Sequence, residues 1–178
     1  MKTSSGSLSL RVLFLLACAI GIMTLTPTLA YGGDQCTPVA GTIYFWYTDT
    51  WHGTVRFTIG GRVLHADVVA NNTSFFDGGD TALGSENWTL DFGTGNSIHL
   101  ITTFTIEHMT DAVSTSGVMH VIEIGTFRNG RGLFKGAYGN LSAHGPFGPG
   151  VKLPGTIKPA PDAIMLGILP AQGTVCFP

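Results

Sequence analysis

Apolar and polar residues alternate with period two along almost the whole chain beyond residue 40, and helical periodicity is nearly absent there. The pattern is sharpest at Thr54-Val55-Arg56-Phe57-Thr58-Ile59, Gly60-Gly61 and residues 62–69. These read as a hairpin with a two-residue loop whose glycines accept positive φ. Pairing Ile59 with Arg62 sets Phe57 opposite Leu64 and Val55 opposite Ala66 on one face. The same register sets Thr54 against Asp67, Arg56 against His65 and Thr58 against Val63 on the other. A slip of one residue would turn apolar side chains to the wet face, so one register sorts both strands.

A second hairpin obeys the same logic. Strand 86–92 places Glu86, Trp88, Leu90 and Phe92 on one face, and Gly93-Thr94-Gly95 suits a turn with Gly95 left-handed. That register pairs Leu90 with Ile98, Trp88 with Leu100 and Glu86 with Thr102. Further strands are expected at 42–48, 97–109, 118–127, 164–166 and 174–177. Ile43-Tyr44-Phe45-Trp46-Tyr47 is apolar on both faces, as in a strand covered on both sides. Residues 71–85 read as a polar loop interrupted by Phe75-Phe76, and the Gly/Pro-rich stretch 145–161 as another loop. About eight strands at short spacing predict an all-β fold, either a sandwich or a closed antiparallel barrel.

The first thirty residues fall outside that pattern. Residues 1–11 carry only Lys2 and Arg11 as charges, residues 12–25 form an apolar run, and Thr28-Leu29-Ala30 supplies small residues at −3 and −1. This layout predicts a secretory signal cleaved after Ala30, leaving 31–178 as a single domain. The apolar run is short for a membrane span, although extending it to Leu29 would give an uncleaved anchor. Leu15-Leu16-Ala17-Cys18 loosely matches a lipoprotein box, but the following residues stay apolar where a lipoprotein turns polar. No later segment is long and apolar enough to span as a helix, so no membrane association is expected after cleavage. Beyond Ala30, seven Lys and Arg stand against eleven Asp and Glu. That balance argues against nucleic acid, which demands a basic stripe. The two remaining cysteines, Cys36 and Cys176, form an even pair at opposite ends of an exported chain and read as one disulfide. Sequons at Asn71, Asn72, Asn87 and Asn140 matter only if the host glycosylates.

The segment Gly130-Arg131-Gly132-Leu133-Phe134-Lys135-Gly136-Ala137-Tyr138-Gly139-Asn140-Leu141, ending in Gly145, carries a resemblance. It resembles a G-x-G-x-F-x-G-A-x-G-x-L…G segment of the allene oxide cyclase/dirigent-like β-barrel group and its secreted bacterial relatives. The motif spans about 16 residues, with a looser strand-for-strand likeness over 40–145. The resemblance implies an eight-stranded antiparallel barrel with a central cavity, often packed as a dimer or trimer. Physically, the glycines permit a bulged, sharply turning strand with Phe134 plugging the core beneath it. None of the cyclases' catalytic residues can be matched to positions here, so activity does not carry over. A nucleotide-binding G-x-G-x-x-G fails at Lys135, and no strand–helix unit follows.

Among polar constellations, Arg56, His65 and Asp67 share one hairpin face, with His52 at its end. They read best as the wet face of a half-buried sheet, with cross-strand pairs worth roughly a few tenths of a kcal/mol. Glu86 differs because it shares the apolar face with Trp88 and Leu90. A carboxyl looking into an apolar barrel has a raised pKa and can serve as acid, base or ligand anchor. His99, His108, His120 and His144 match no metal spacing, and His120 and Glu123 fall on opposite faces of a strand. No Gly-x-Ser-x-Gly elbow exists, so a nucleophilic hydrolase is disfavoured. Neither a metal nor another cofactor is expected.

The leading expectation is a secreted or periplasmic barrel that binds a small, largely apolar molecule through Phe57, Glu86, Trp88, Leu100 and Phe104. Glu86 would lie near the mouth and meet the ligand's polar end; it is also the candidate catalytic group. The alternatives are a cyclase- or isomerase-type enzyme that shapes a reactive apolar substrate, and a structural barrel with a filled interior.

Overall fold

Both hairpin registers expected from the alternation hold in three dimensions. A computed structural model describes residues 35–107 and 117–178. Within them lie eight strands: β1 Gln35–Tyr47, β2 Trp51–Ile59, β3 Arg62–Asp77, β4 Thr81–Asp91, β5 Ser97–Glu107, β6 Met119–Arg131, β7 Tyr138–Gly148 and β8 Met165–Phe177. Each strand pairs antiparallel with the next, and β8 returns to β1, closing the barrel. The signal segment, His108 and the end of the expected strand 97–109 lie outside the described residues.

In the first hairpin Ile59 faces Arg62, Phe57 faces Leu64 and Val55 faces Ala66. In the second, Leu90 faces Ile98, Trp88 faces Leu100 and Glu86 faces Thr102. Val55, Phe57, Ala66 and Val68 are buried, while Arg56, His65 and Asp67 are exposed, so the polar hairpin face is the outer one. Leu64 is only partly buried, because it sits beside the Gly60-Gly61 turn at the barrel's rim.

Several boundaries differ from the sequence expectation. Residues 71–85 are mostly strand: β3 runs on to Asp77, and β4 starts at Thr81. Apart from Asn72, the polar Asn, Thr and Ser on that stretch face outward or line a bulge, where they need no apolar partner. The loop expected from residue 145 begins only after β7 ends at Gly148. The two short terminal strands are one, β8, because its glycines and proline do not interrupt the pairing with β1.

The two ends of the barrel are built differently. At the end holding the turns 60–61 and 92–96, the interior is solid with Phe57, Leu90, Ile98 and Leu100. Gly132–Phe134 forms a single 3₁₀ turn there and inserts Phe134 as a plug. The Phe134 ring centroid lies 4.6 Å from that of Phe92 and 6.3 Å from that of Phe177. Gly132 and Gly136 hold positive φ on either side, which is what the glycine-rich segment supplies.

The same end is stapled. Cys36 and Cys176 face each other across the β1–β8 seam, with Cα atoms 3.9 Å apart, and form the expected disulfide. A disulfide is compatible with an extracellular location. Among the described residues, no helix is long and apolar enough to cross a membrane.

Two stability outcomes follow from this packing. Replacing both cysteines by serine should lower stability by about 4–5 kcal/mol, since the bond closes a very long loop. Denaturant titration of that variant beside the disulfide-bonded wild type checks this, and equal midpoints for the two would contradict it. Phe57→Ala should cost about 3–5 kcal/mol and Arg56→Ala well under about 1 kcal/mol, measured the same way. Equal losses would place the polar face of the hairpin inside.

Candidate functional site

The opposite half of the barrel interior is packed less densely. A cavity of about 320 Å³ lies under the end where β1 turns into β2 and β7 leads into β8. Its wall is aromatic: Phe45, Trp51, Trp88, Phe104 and Phe147 line it, and Met119 and Met165 complete the rim. The rings interlock, with Phe45 and Trp51 edge-on at 5.2 Å and Trp51 and Phe147 at 5.3 Å.

Glycines opposite the rings make this wall possible. Phe104 pairs with Gly84 across β4–β5, and a Cβ at Gly84 would fall 2.2 Å from the Phe104 ring. Phe45 pairs with Gly167 across β1–β8 in the same way, again with 2.2 Å to the ring. Each ring lies over a bare backbone patch, held in place rather than projecting across the lumen.

A bulge adds another ring. The β3–β4 register shifts between Asn72 and Ser74, and Thr73 hydrogen-bonds the Ser85 carbonyl from the bulged position. One extra residue switches the phase of the strand, so Asn72 and Phe75 both line the cavity despite being three apart. The Phe75 ring then lies 6.3 Å from that of Phe104.

At the inner end of the cavity sit two carboxyls. Glu86 comes from β4 and Glu123 from β6, on either side of β5, where Thr102 faces Glu86 and Phe104 faces Glu123. Glu86, Thr102 and Glu123 are the buried polar or charged residues among those described. Glu86 Oε2 accepts a 2.6 Å hydrogen bond from the Trp88 indole N–H, which fixes both groups in the cavity. Glu123 Oε1 and Thr102 Oγ1 are buried and close no hydrogen bond, although the Thr102 hydroxyl is near enough to temper the Glu123 titration.

Burial governs both acids. It pushes the Glu86 carboxyl up to about 7, against the opposing Trp88 hydrogen bond. Glu123 is raised well above the usual carboxylate range, first by burial and then by the charge of Glu86. Near neutral pH the pair holds at least one proton, with Glu86 the group poised to exchange it.

The sequence expectation is partly relocated by this geometry. Glu86, Trp88 and Phe104 line the cavity. Phe57 does not; it belongs to the solid half, 1% exposed. Leu100 borders only a void of about 10 Å³ beneath the cavity, beside Trp88 and Thr102. Period two gives the side of a residue but not its height along a tilted strand. Glu86 also lies deeper than the mouth where it was expected, at 7% exposure. Glu123, Trp51, Phe45 and Phe147 were not among the expected site residues. Glu123 was legible as lying on the face opposite His120, and the structure shows that face to be the inner one.

The outer polar groups form no enclosed site. Arg56, His65 and Asp67 are exposed on the first hairpin, His120 and His144 are exposed and border an open surface groove with Glu107 and Ile122, and His99 contacts Thr89 at 3.0 Å. No cluster of three or more metal-ligating side chains exists among the described residues. Comparison of the chain with protein-family models, curated proteins and solved structures found no match.

The carboxyls give stability a definite pH sign. Each binds its proton more tightly in the folded chain than in the unfolded one, so stability falls as pH rises. For Glu86 the loss runs from its ordinary 4.5 to about 7 and then levels; for Glu123 it extends further. Glu86 alone corresponds to on the order of 3 kcal/mol. Asp49, held below its ordinary 3.8 by the Thr48 hydroxyl, acts beneath this window. Urea midpoints should therefore drop between about pH 5 and about pH 8, with Glu86→Gln flattening the slope. A midpoint that rises over that range would refute the buried pair.

Proposed function

We propose that this protein is a secreted barrel that binds a small, largely apolar molecule carrying one polar end. One observation carries the reading: both buried carboxyls among the described residues, Glu86 and Glu123, line one aromatic-walled cavity, and the third buried polar side chain, Thr102, borders the small void beneath it. At about 320 Å³ that cavity falls in the range of small-ligand sites, which are mostly apolar with a few convergent polar groups. The ligand's body would rest on Trp88, Phe104 and Phe45 while its polar end meets Glu86 and Glu123. The cavity favours this over a purely structural barrel with a filled interior.

Export through the segment ending at Ala30 belongs to the same proposal, as does assembly into a dimer or trimer. Kinship with the allene oxide cyclase/dirigent-like group is likewise proposed, on the strength of the Gly130–Leu141 segment and the eight-stranded barrel that the resemblance implies. The raised Glu86 and Glu123 favour a second reading, a cyclase- or isomerase-type enzyme in which one carboxyl protonates a confined substrate.

Trp88 and Trp51 line the cavity and report its occupancy. Titration with 4-phenylbutan-1-ol should change tryptophan emission saturably, and Ala70→Phe, which fills the cavity, should abolish the change. No saturable signal, or one indifferent to Ala70→Phe, would overturn the ligand reading. Glu86→Gln keeps size and hydrogen bonding; a binder retains affinity in that variant, whereas an enzyme using Glu86 retains affinity and loses turnover.

A further inference from the structure

The chemistry of the ligand's polar end can be taken further from the donor–acceptor inventory of the cavity. Resting on the ligand-binding reading above, we propose that the cavity selects a hydrophobic cation: an alkyl- or arylalkylammonium whose head lies between Glu86 and Glu123.

Among the described residues, the charged and titratable groups lining the cavity are Glu86 from β4, Glu123 from β6, His52 from β2 and Tyr47 from β1, with neither Lys nor Arg among them. His52 stands at the outer rim, 38% exposed and 4.0 Å from Asp49. Deep in the cavity the fixed charge is therefore acidic only. Glu86 Oε2 is taken by the Trp88 N–H, but Glu123 Oε1 and Thr102 Oγ1 are buried without a partner. Unsatisfied buried oxygens are costly, and together they form an acceptor set.

An ammonium matches that set group for group. It offers three donors and no acceptor. Those donors have the Glu86 and Glu123 carboxyls of the cavity to meet, with the Thr102 hydroxyl in the void just beneath. An alcohol brings a single donor and leaves an acceptor unmet. A carboxylate ligand would add a further negative charge beside two acids, which is repulsive in a low-dielectric site.

The wall supplies the second half of the recognition. Trp88 neighbours Glu86 on β4, Phe104 of β5 pairs with Glu123 of β6, and Trp51, Phe45 and Phe147 continue the aromatic surface outward. Ring faces attract cations, more strongly once water is removed. The same rings bury the hydrocarbon chain. Carboxyls at one end and π-faces along the sides fit a cationic head on an apolar body better than any neutral or anionic head.

Isothermal titration of the disulfide-intact protein with 4-phenylbutylamine, 4-phenylbutan-1-ol and 4-phenylbutyrate tests this. At about pH 8 the amine should bind at least about tenfold more tightly than the alcohol, and the acid more weakly than either. Glu86→Gln with Glu123→Gln should erase the amine's advantage while the alcohol still binds; if that pair fails to fold, Glu86→Gln alone serves. A cation lowers the proton affinity of the acids, so at about pH 6 amine binding should release close to one proton, read from buffers of different ionisation heat. The alcohol should release none, and His52→Gln should leave the release intact. An amine no tighter than the alcohol, an advantage that survives the glutamine variants, or no proton release would overturn the cation proposal while the cavity reading stands. Failure of all three compounds to bind would overturn both.

Discussion

Closure of the sheet on itself is the constraint from which the rest follows. β1 and β8 pair along thirteen positions, so every strand has a neighbour on each side and no edge remains exposed. A closed ring also divides each strand strictly into an inner and an outer face. Every inward residue must then share one narrow lumen, and its size decides whether the lumen fills. The Cys36–Cys176 bond lies on the closing seam itself, where it ties the ring at the point farthest apart in sequence.

What fills the lumen changes along the barrel axis. At the stapled end, Phe57, Leu90, Leu100, Phe127 and Phe134 meet from several strands and leave no room. Toward the other end the inward positions become small, with Ala70, Ala82 and Ala143. Gly84 and Gly167 go further and let aromatic rings fold back against the wall. The cavity is thus written in the size of the inward residues. Leaving it unfilled forfeits contacts that packed side chains would have made, which is tolerable because the other half of the barrel is dense.

Local chemistry decides which parts of this were legible in the sequence. The two hairpins were readable because glycine-bearing turns pin their registers and each register sorts apolar from polar cleanly. The bulge at Thr73 was not, because Asn, Thr and Ser carry no phase, and residues 71–85 therefore resembled a loop. Glu123 was hidden for the opposite reason. Its strand is apolar on both faces, with Val121 and Phe127 inside but Ile122 and Ile124 exposed at 43% and 60%, so alternation alone does not say which face is inner. Phe57 and Leu100 were correctly placed inside the barrel but at the wrong height. Height follows from strand tilt and stagger, which a pairwise register does not reveal until the ring is closed.

The separation along the axis also explains how the fold tolerates two buried acids. A carboxyl withdrawn from water opposes folding whenever it is ionised, and a second one nearby makes matters worse. Here the destabilising groups sit under the open end, while the disulfide and the Phe92–Phe134–Phe177 cluster hold the far end. Strain at the acids therefore does not fall on the closing seam or on the dense core. A ligand that satisfies the buried oxygens would relieve that cost directly, so part of its affinity would come from stabilising the folded state. On the proposed reading, the two acids that cost the barrel stability are also the groups that would select its ligand.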